Sequence, residues 1–479
     1  MVVMKFGGSS VATAAAFARV VSIVKAERRP RVVVVSALAG VTDALLKLAA
    51  HAAARNAAAA LRAVRALREG HASLAGIVRD EAERRAVLGH LDAGWRDVET
   101  LVGASSLLKA CPPPACDAIV ARGELASSRL AAAILKDAGV PAEWVDARHA
   151  VVTDSRHQQA SPLAAASTAR LARTVRPLVD RGAVPVLGGF VGSTADGVTT
   201  TLGRGGSDYS ASLVGACLGA SEIQIWTDVD GMLTADPRLF SRARAVDRLS
   251  FDEASALAHF GAKVLHPSTL QPAVLAGIPV RILNSRHPAG RGTVVAAGPV
   301  RRSAPAAGIA CLDGLCVFEA PLPGGADRPA AIADIYAACA RAGAAVHLTA
   351  VTDAGVSVAV DDGPAGDRVA AQFDSGRRIA RRRGLALVAV VGDGLAAGRT
   401  DRWRIWAAFD GIPAHLLSST TGAVHVACVV DEADLTLAVE TLHERLFERR
   451  PSCGSRDSAS PRGAVSLRTP DGVQREARA

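Results

Sequence analysis

The sequence Val-Val-Met-Lys-Phe-Gly-Gly-Ser-Ser-Val occupies residues 2–11 and predicts a short buried strand that passes through two glycines into a helix. Glycines let a backbone approach a ligand closely, and the helix would present unpaired N–H groups and the positive end of its dipole. Lys5 would add a mobile ammonium able to follow charge onto a transferring phosphoryl group. The stretch therefore suits a phosphate cradle, although a plain strand-to-helix turn with Ser9 or Ser10 as helix N-cap explains it equally well.

Strand and helix signals continue to alternate outward from this stretch as far as about residue 298. A second valine-rich run covers 31–36, and an amphipathic segment lies between the two runs. This alternation predicts an α/β domain over residues 1–298, with a mainly parallel sheet flanked by helices. The other predicted strands are Glu143–Val145, Val184–Leu187, Glu222–Trp226 and Val280–Leu283, and the predicted helices cover 43–69, 117–138, 164–181, 207–219 and 250–259.

A second glycine-rich stretch, Thr-Thr-Thr-Leu-Gly-Arg-Gly-Gly-Ser-Asp-Tyr at 199–209, precedes an alanine-rich helix. Three glycines around Arg204, ahead of a helix that Ser207 and Asp208 would open, predict another anion site. Asp208 could serve only as a helix N-cap, or it could orient Lys5 and other cations around reacting phosphates. Two such sites in one sheet domain suit a pair of substrates.

Three further clusters follow predicted strands, at the edge where open α/β sheets usually bind ligands. They are Ser36–Thr42, Trp226–Gly231 and Phe260–Pro267, which contribute hydroxyls, carboxylates and Lys263 respectively. Each cluster taken alone is more typical of a turn than of a site. Glu124 falls on a predicted helix, where a solvated position is the simpler interpretation.

The pattern of predicted elements changes after residue 300, where strands and helices alternate over shorter segments. The order strand, helix, strand, strand, helix, strand is predicted over 308–391, with its second helix running from Gly366 to Arg383. A second passage predicts helices at 400–409 and 432–447 and strands at 414–417 and 424–430. We therefore predict two βαββαβ-like units, over 299–384 and 385–448, and a disordered tail over 449–479 in which Ser, Arg, Pro and Gly dominate.

The net charge of +9 does not indicate a nucleic-acid partner. Eight of the nine charges lie in two segments: five arginines between Arg377 and Arg383 on a predicted helix, and the tail from Glu448, where seven arginines outnumber four acids. No aromatic-interleaved basic stripe or DNA-binding motif accompanies them. No apolar run of about eighteen residues and no secretory leader are apparent, so we expect a cytoplasmic chain that makes no membrane contact.

The eight cysteines and twelve histidines show no metal-ligand spacing, and no nucleophile elbow or Cys/His pair stands out. We therefore expect inert thiols, no structural metal and no covalent nucleophilic catalysis. A reaction within these constraints would depend on positioning and electrostatics.

Taken together, these motifs resemble those of the aspartate kinase family, monofunctional type, within the amino-acid kinase fold. The matching segments occur in the family's order: Lys5–Val11, Ser36–Thr42, Gly123–Glu124, Gly188–Gly192, Thr199–Tyr209, Trp226–Gly231, Thr234–Arg238 and Phe260–Pro267. The resemblance is strong to residue 298 and looser to about 448. It implies a kinase that uses ATP to convert the β-carboxylate of L-aspartate to 4-phospho-L-aspartate, the first step of lysine, threonine and methionine biosynthesis.

The resemblance also implies roles for individual residues. Lys5 and Asp208 would be catalytic, with Lys5 stabilising the transferring phosphoryl group and Asp208 organising the lysines. The substrate would be bound by Ser36, Thr42, Glu124, Arg204, Gly205, Gly206 and Ser207, with Arg204 on its α-carboxylate. The nucleotide, arriving with Mg²⁺, would face Lys5, Gly7, Gly8, Ser9, Thr227, Asp228, Arg238 and Lys263.

The two small C-terminal units resemble ACT domains, which implies a homodimer and a site for an amino-acid effector. The sequence departs from the family pattern in a longer loop at 321–327 and in His347, where lysine-sensitive relatives tend to carry aspartate. An ammonium-bearing inhibitor would lose an acidic partner there, so we expect lysine inhibition to be weak or absent. Leu233 replaces a tyrosine that is common near the nucleotide, which should modify ATP binding.

Two alternatives to this function stay open at the level of sequence. One is a kinase for another acidic amino acid, suggested by the unusual regulatory half. The other is a non-catalytic, ACT-based amino-acid sensor in which the kinase domain is a relic.

Overall fold

The computed structural model describes residues 1–262, 267–302, 304, 306–321, 328–353, 355–373, 379–397, 405–418 and 424–448. The strands of its N-terminal part are β1 (Val2–Phe6), β2 (Arg31–Val35), β3 (Ala142–Val145), β4 (Val184–Gly188), β5 (Val191–Ser193), β6 (Thr199–Thr201), β7 (Glu222–Thr227), β8 (Arg248–Ser250), β9 (Val280–Asn284) and β10 (Thr293–Ala296). Eight of these form one sheet in the order β3-β4-β2-β1-β7-β9-β10-β8, and β5 pairs with β6 in a separate hairpin. Only β9 and β10 are antiparallel neighbours in the large sheet, which confirms the prediction of a mainly parallel sheet.

Helices cover the large sheet, and its central strands β1 and β2 are accordingly mostly apolar. Every residue of β1 and four of the five residues of β2 are buried. The N-terminal helices are α1 (Ala14–Ala26), α2 (Val41–Ala53), α3 (Ala57–Ala75), α4 (Glu81–Leu108), α5 (Pro113–Asp137), α6 (Ala164–Thr174), α7 (Arg176–Asp180), α8 (Gly206–Leu218), α9 (Phe251–His259) and α10 (Gln271–Leu275). Helix α5 is buried along almost all of its length, which makes it a rigid carrier for side chains.

Two predicted helices are each divided in the structure. The helix predicted over 43–69 breaks at Arg55, which adopts φ 60°, and α3 starts again after Asn56, whose Oδ1 accepts from the Ala59 N–H at 3.2 Å. The helix predicted over 164–181 is interrupted at Val175, between α6 and α7. The four strands predicted after residue 140 all occur, with ends within one residue of the prediction.

The C-terminal part is a second sheet of six strands. Its elements are β11 (Gly308–Pro321), α11 (Arg328–Ala342), β12 (Val346–Val351), β13 (Gly355–Asp361), α12 (Pro364–Ala371), β14 (Ala380–Val391), α13 (Gly394–Ala397), a helical turn at 405–408, β15 (Leu416–Ser418), β16 (His425–Asp431) and α14 (Leu435–His443). The strand order is β12-β13-β11-β14-β16-β15, and all neighbours are antiparallel.

Two hydrophobic cores of the C-terminal part each include residues of the long strand β11, and only one of them includes residues of β14. One core includes Phe318, Ile335 and Val358, and the other includes Ile309 and Val388. Residues 308–312 of β11 pair with residues 387–391 of β14, and the register between the two strands shifts between Leu312 and Leu315. Residues 308–312, which belong to the first predicted unit, therefore pair with residues of the second predicted unit, and the unit limits given above stay a prediction.

The basic run at 377–383 was expected on a helix, and this expectation is wrong for its described part. Helix α12 ends at Ala371, and Arg381–Arg383 lie on β14. Their side chains pair with acidic groups: Arg381 with Asp362 and Asp367, Arg382 with Asp431, and Arg383 with Asp367. Arg377, Arg378 and the tail at 449–479 lie outside the described residues.

No helix in the described part of the chain is both long enough and apolar enough to span a bilayer.

Candidate active site

The residues that the sequence singled out converge on one cavity of about 960 Å³ at the carboxyl ends of the central strands. Nine predicted site residues line it: Lys5, Ser36, Thr42, Glu124, Arg204, Gly205, Gly206, Ser207 and Asp208. They come from β1, from the loop after β2, from α2 and α5, and from the start of α8. Parallel strands bring these segments together because their carboxyl ends meet at one edge of the sheet.

Lys5 and Asp208 form an ion pair at the wall of this cavity, with 2.7 Å between Lys5 Nζ and Asp208 Oδ1. The Lys5 side chain is only 10 % exposed and passes close to Gly7, where an added Cβ would lie 3.6 Å from Nζ. Asp208 is the third residue of α8, whose N-cap is Gly205 at φ 71°. The interpretation of Asp208 as the N-cap is therefore wrong, and its carboxylate is directed at Lys5.

The first glycine-rich loop forms a short 3₁₀ turn, Gly8–Ser10, instead of opening directly into α1. Helix α1 begins at Ala14 and is capped by Thr13, so neither Ser9 nor Ser10 is its N-cap. Gly8 packs so closely on the loop after β2 that an added Cβ would lie 2.8 Å from the Ala37 carbonyl oxygen. The glycine is thus required for close approach of two backbone segments beside Lys5.

The second glycine-rich loop contributes Arg204 and the backbone around it to the lining of the cavity. Gly203 and Gly205 both adopt positive φ, at 78° and 71°. An added Cβ on Gly206 would lie 2.7 Å from Phe190 Cδ2, so this position also depends on glycine. The Arg204 side chain is exposed, and no ion pair or hydrogen bond holds it among the described residues. Its guanidinium is therefore available to a ligand.

Glu124 was expected on a solvated helix face, and this expectation is wrong. The residue is 3 % exposed, on the buried helix α5, and it faces the cavity. Burial raises the pKa of its carboxyl to about 8, against the opposing effects of hydrogen bonds from the Ala37 and Glu124 backbones and of Lys5. Its Oε2 has no hydrogen-bond partner in the described chain. A buried carboxyl with one oxygen left unpaired beside a cavity suits a cationic group of a ligand.

Of the residues expected to face a nucleotide, Thr227, Asp228 and Arg238 are among those described, and they lie outside the lining of the large cavity. Thr227 ends β7, and its hydroxyl lies 3.3 Å from Asp228 Oδ1. Arg238 lines a smaller cavity of about 270 Å³ together with Leu233 and Gly261, and it is held by Asp236 at 2.6 Å. Lys263 lies outside the described residues. Thr227 and Asp228 line neither cavity.

The cavity is also lined by residues that the sequence had not indicated, among them Asp117, Gln158 and Gln159, and by Phe190 from the motif at 188–192. Asp117 lies seven residues before Glu124 on α5, and the glutamines belong to the loop after the Val152 bridge. A heptad separation of two acids on one helix was the available signal for Asp117, because residues two turns apart share a helix face.

Known proteins match this chain over both its sheets. The model of the amino acid kinase family matches residues 1–284. The chain is 32% identical over 469 residues to lysine-sensitive aspartokinase 3 of Escherichia coli K12, covering 94% of this chain and 99% of that relative. It is 29% identical to chloroplastic aspartokinase 1 of Arabidopsis thaliana, covering 93% of this chain and 80% of the relative.

Solved structures show the same similarity in three dimensions. E. coli aspartokinase III in complex with aspartate and ADP, in the R-state, superposes with a TM-score of 0.78 at 31% identity, covering 94% of this chain and all of the other. The same enzyme in complex with lysine and aspartate, in the T-state, gives 0.82 at 31% identity with equal coverage. The similarity thus extends from the cavity through the six-stranded C-terminal sheet.

Proposed function

The chain belongs to the amino acid kinase family and, within it, to the aspartokinases, and from this premise we propose that its cavity phosphorylates the β-carboxylate of L-aspartate with ATP. The product would be 4-phospho-L-aspartate, the first intermediate of lysine, threonine and methionine biosynthesis. The observation that carries the proposal is the presence of Lys5, Glu124 and Arg204 around one cavity. The Lys5 ammonium would meet the reacting group of aspartate, the unpaired oxygen of Glu124 would accept from its ammonium, and the free Arg204 guanidinium would bind its α-carboxylate.

The substrate would be held at both ends of its amino-acid moiety. Arg204 can bind the α-carboxylate through two parallel hydrogen bonds, and Glu124 can accept from the ammonium. Ser36 and Thr42 offer hydroxyls on the same wall, and the backbone at Gly205, Gly206 and Ser207 offers N–H groups at the start of α8. This arrangement leaves the side-chain carboxylate directed toward Lys5.

Phosphoryl transfer would then require no protein nucleophile. A β-carboxylate oxygen attacks the γ-phosphorus, the bond to the β,γ-bridging oxygen breaks, and ADP leaves with that oxygen. Lys5 would stabilise the charge on the transferring group while Asp208 fixes the ammonium 2.7 Å away. Gly7, Gly8 and Ser9 would cradle phosphate, and the nucleotide would extend toward Thr227, Asp228, Arg238 and Lys263.

Mg²⁺ is part of the same proposal, because this ion binds through one or two carboxylates together with phosphates and waters. The described residues contain no group of three or more His, Cys, Asp or Glu side chains able to hold a metal ion alone. Such an ion would therefore depend on the nucleotide phosphates, with Asp208 as the carboxylate at hand. When bound, it would neutralise charge on the β- and γ-phosphates. We propose the cytoplasm as the compartment of this reaction.

Trapping the acyl phosphate with hydroxylamine tests the proposed activity. The purified protein with MgATP should give hydroxamate with aspartate and far less with glutamate or N-acetylglutamate. A preference for either of the other two acids would assign a different acidic substrate. Absence of hydroxamate from all three, with calorimetric binding of an amino acid retained, would favour the sensor instead.

The raised pKa of Glu124 predicts a pH dependence. The unfolded chain ionises this carboxyl near 4.5 and the native chain near 8, so the native state binds more protons between these values. Two effects follow as pH rises through this interval: the free energy of unfolding falls, and the ionised form that pairs with an ammonium becomes populated. We expect kcat/KM for aspartate to rise up to about tenfold per pH unit below 8. In Glu124→Gln both slopes should be lost, and an unchanged kcat/KM profile would contradict the role.

We also propose a homodimer through the ACT-like units with weak or absent inhibition by lysine. His347 lies on β12, and its Nε2 is 2.8 Å from Asp361 Oδ1. An imidazole in this position offers no negative charge to the ammonium of lysine. Its hydrogen bond also occupies one carboxylate oxygen of Asp361.

The expected result is that lysine inhibits this enzyme about 10- to 100-fold less strongly than it inhibits the E. coli relative named lysine-sensitive, the effect of losing one hydrogen bond to a charged group. His347→Asp should strengthen inhibition. Inhibition curves measured at subsaturating aspartate check both, and potent inhibition of the wild type by lysine alone would contradict this interpretation of His347.

A further inference from the structure

A buried carboxylate with no catalytic assignment joins three segments of the cavity wall. Asp117 lies on α5 and is 1 % exposed. It accepts from Thr201 Oγ1 at 2.6 Å, from the Gln158 N–H at 3.0 Å and from His157 Nδ1 at 2.7 Å. Thr201 ends β6, and the other two donors belong to the loop at 154–160. One side chain therefore fastens this loop and a strand to the helix that carries Glu124.

The loop that Asp117 holds contains one residue in an unfavourable backbone conformation. Gln158 has φ 69°, a left-handed backbone that is unfavourable for a residue with a Cβ. The Gln158 N–H donates to the Asp117 carboxylate, which supplies the attraction that keeps this geometry. The Ala160 N–H donates to the Thr201 carbonyl at 2.9 Å and fixes the end of the loop to the same strand.

The fastened loop supports the segment that presents Arg204. An added Cβ on Gly203 would lie 3.3 Å from the Gln158 carbonyl oxygen, so the loop packs directly against the residue before Arg204. Arg204 itself makes no hydrogen bond or ion pair to other described residues, and its position depends on the backbone beneath it. Gln158 and Gln159 line the cavity beside it.

We propose that Asp117 is a positioning residue that sets the separation between Arg204 and Glu124, and thereby selects the chain length of the acidic substrate. Both Glu124 and Asp117 belong to one rigid helix, two turns apart on the same face. Through Thr201 and the loop, Asp117 fixes the Arg204 segment to that helix. A fixed separation between the α-carboxylate partner and the ammonium partner places the side-chain carboxylate of a four-carbon acid at Lys5 and that of a five-carbon acid out of line. This inference rests on the proposed function and identifies Asp117 as the residue behind the preference for aspartate over glutamate.

The variants Asp117→Ala and Asp117→Asn distinguish a positioning role of Asp117 from a contribution to the stability of the fold alone. The alanine variant removes all three bonds, and we expect KM for aspartate to rise at least tenfold with kcat changed less than threefold and KM for ATP unchanged. The competitive inhibition constant of glutamate should rise much less, so discrimination between the two acids narrows. In Asp117→Asn the amide oxygen can still accept from Thr201 and Gln158, and the amide can donate to the other tautomer of His157, so most of the discrimination should return.

Two further variants keep the test decisive. Thr201→Val removes a single bond while keeping the shape of the side chain, and it should reproduce part of the rise in KM if the alanine variant does not fold. Asp146→Ala removes another buried carboxylate, which binds Arg148 away from the cavity, and should leave KM for aspartate unchanged. Equal losses for aspartate and glutamate, or an equal effect of Asp146→Ala, would overturn the inference. A wild-type enzyme without activity toward aspartate would overturn the proposed function itself.

Discussion

Replacing Lys5 by methionine is expected to lower kcat by about 10³-fold and to change KM for ATP only a few-fold. Methionine keeps most of the length of the side chain but removes the ammonium that lies 2.7 Å from Asp208 Oδ1. Negative charge moves from the nucleotide toward the acceptor during phosphoryl transfer, so a cation fixed at this point contributes more to the transition state than to the bound substrates. The loss should therefore appear in kcat.

The measurement is the hydroxamate assay at saturating aspartate and MgATP. Lys136→Met is the matched control, because Lys136 lies on α5 near its C-terminal end and forms an exposed pair with Glu83 at 2.9 Å. Surface pairs of this kind contribute about 1 kcal/mol or less, so this variant should retain wild-type activity. A Lys5→Met enzyme with kcat within threefold of wild type would show that the ammonium does not meet the transferring charge.

The parallel sheet could be predicted from the sequence because its signals are local. The valine runs of β1 and β2 are continuous in the sequence, and glycines follow each of them. Each predicted strand after residue 140 is likewise indicated by a short run of neighbouring apolar residues. The cavity followed from the same information, since strand ends of a parallel sheet meet at one edge. Helix α4 was not predicted, although Val87, Leu91, Trp95, Val98 and Val102 repeat at helical spacing and are buried.

What sequence reasoning could not reach depends on pairing between distant segments. Asp117 and His157 are forty residues apart, and nothing in either neighbourhood indicates that they meet. The burial of Glu124 depends on helices packed around α5, and its own helical pattern fits a surface position equally well. The arginines at 381–383 have the composition of a basic helix, and only their pairing with β11 shows that they form a strand.

Arg204→Ala is expected to raise KM for aspartate by about 100-fold while kcat changes little. The α-carboxylate does not react, so its hydrogen bonds are equally strong in the bound substrate and in the transition state, and their loss appears in KM. Hydrogen bonds to charged groups contribute about 1.5–3 kcal/mol each, and the size of the expected change corresponds to about 3 kcal/mol. Arg204 has no partner among the described residues, so its removal should not destabilise the fold.

Steady-state kinetics with each substrate varied in turn distinguish a substrate role for Arg204 from a nucleotide role. Arg173→Ala is a suitable control, since this exposed arginine on α6 lies outside the cavity. Arg204→Lys should recover only part of the affinity, because an ammonium keeps the charge but cannot make two parallel bonds to a carboxylate. A rise in KM for ATP with KM for aspartate unchanged would show that Arg204 binds the nucleotide instead of aspartate. The α-carboxylate of aspartate would then have no cationic partner beside the ammonium site at Glu124, and the proposed placement of aspartate in the cavity would be wrong.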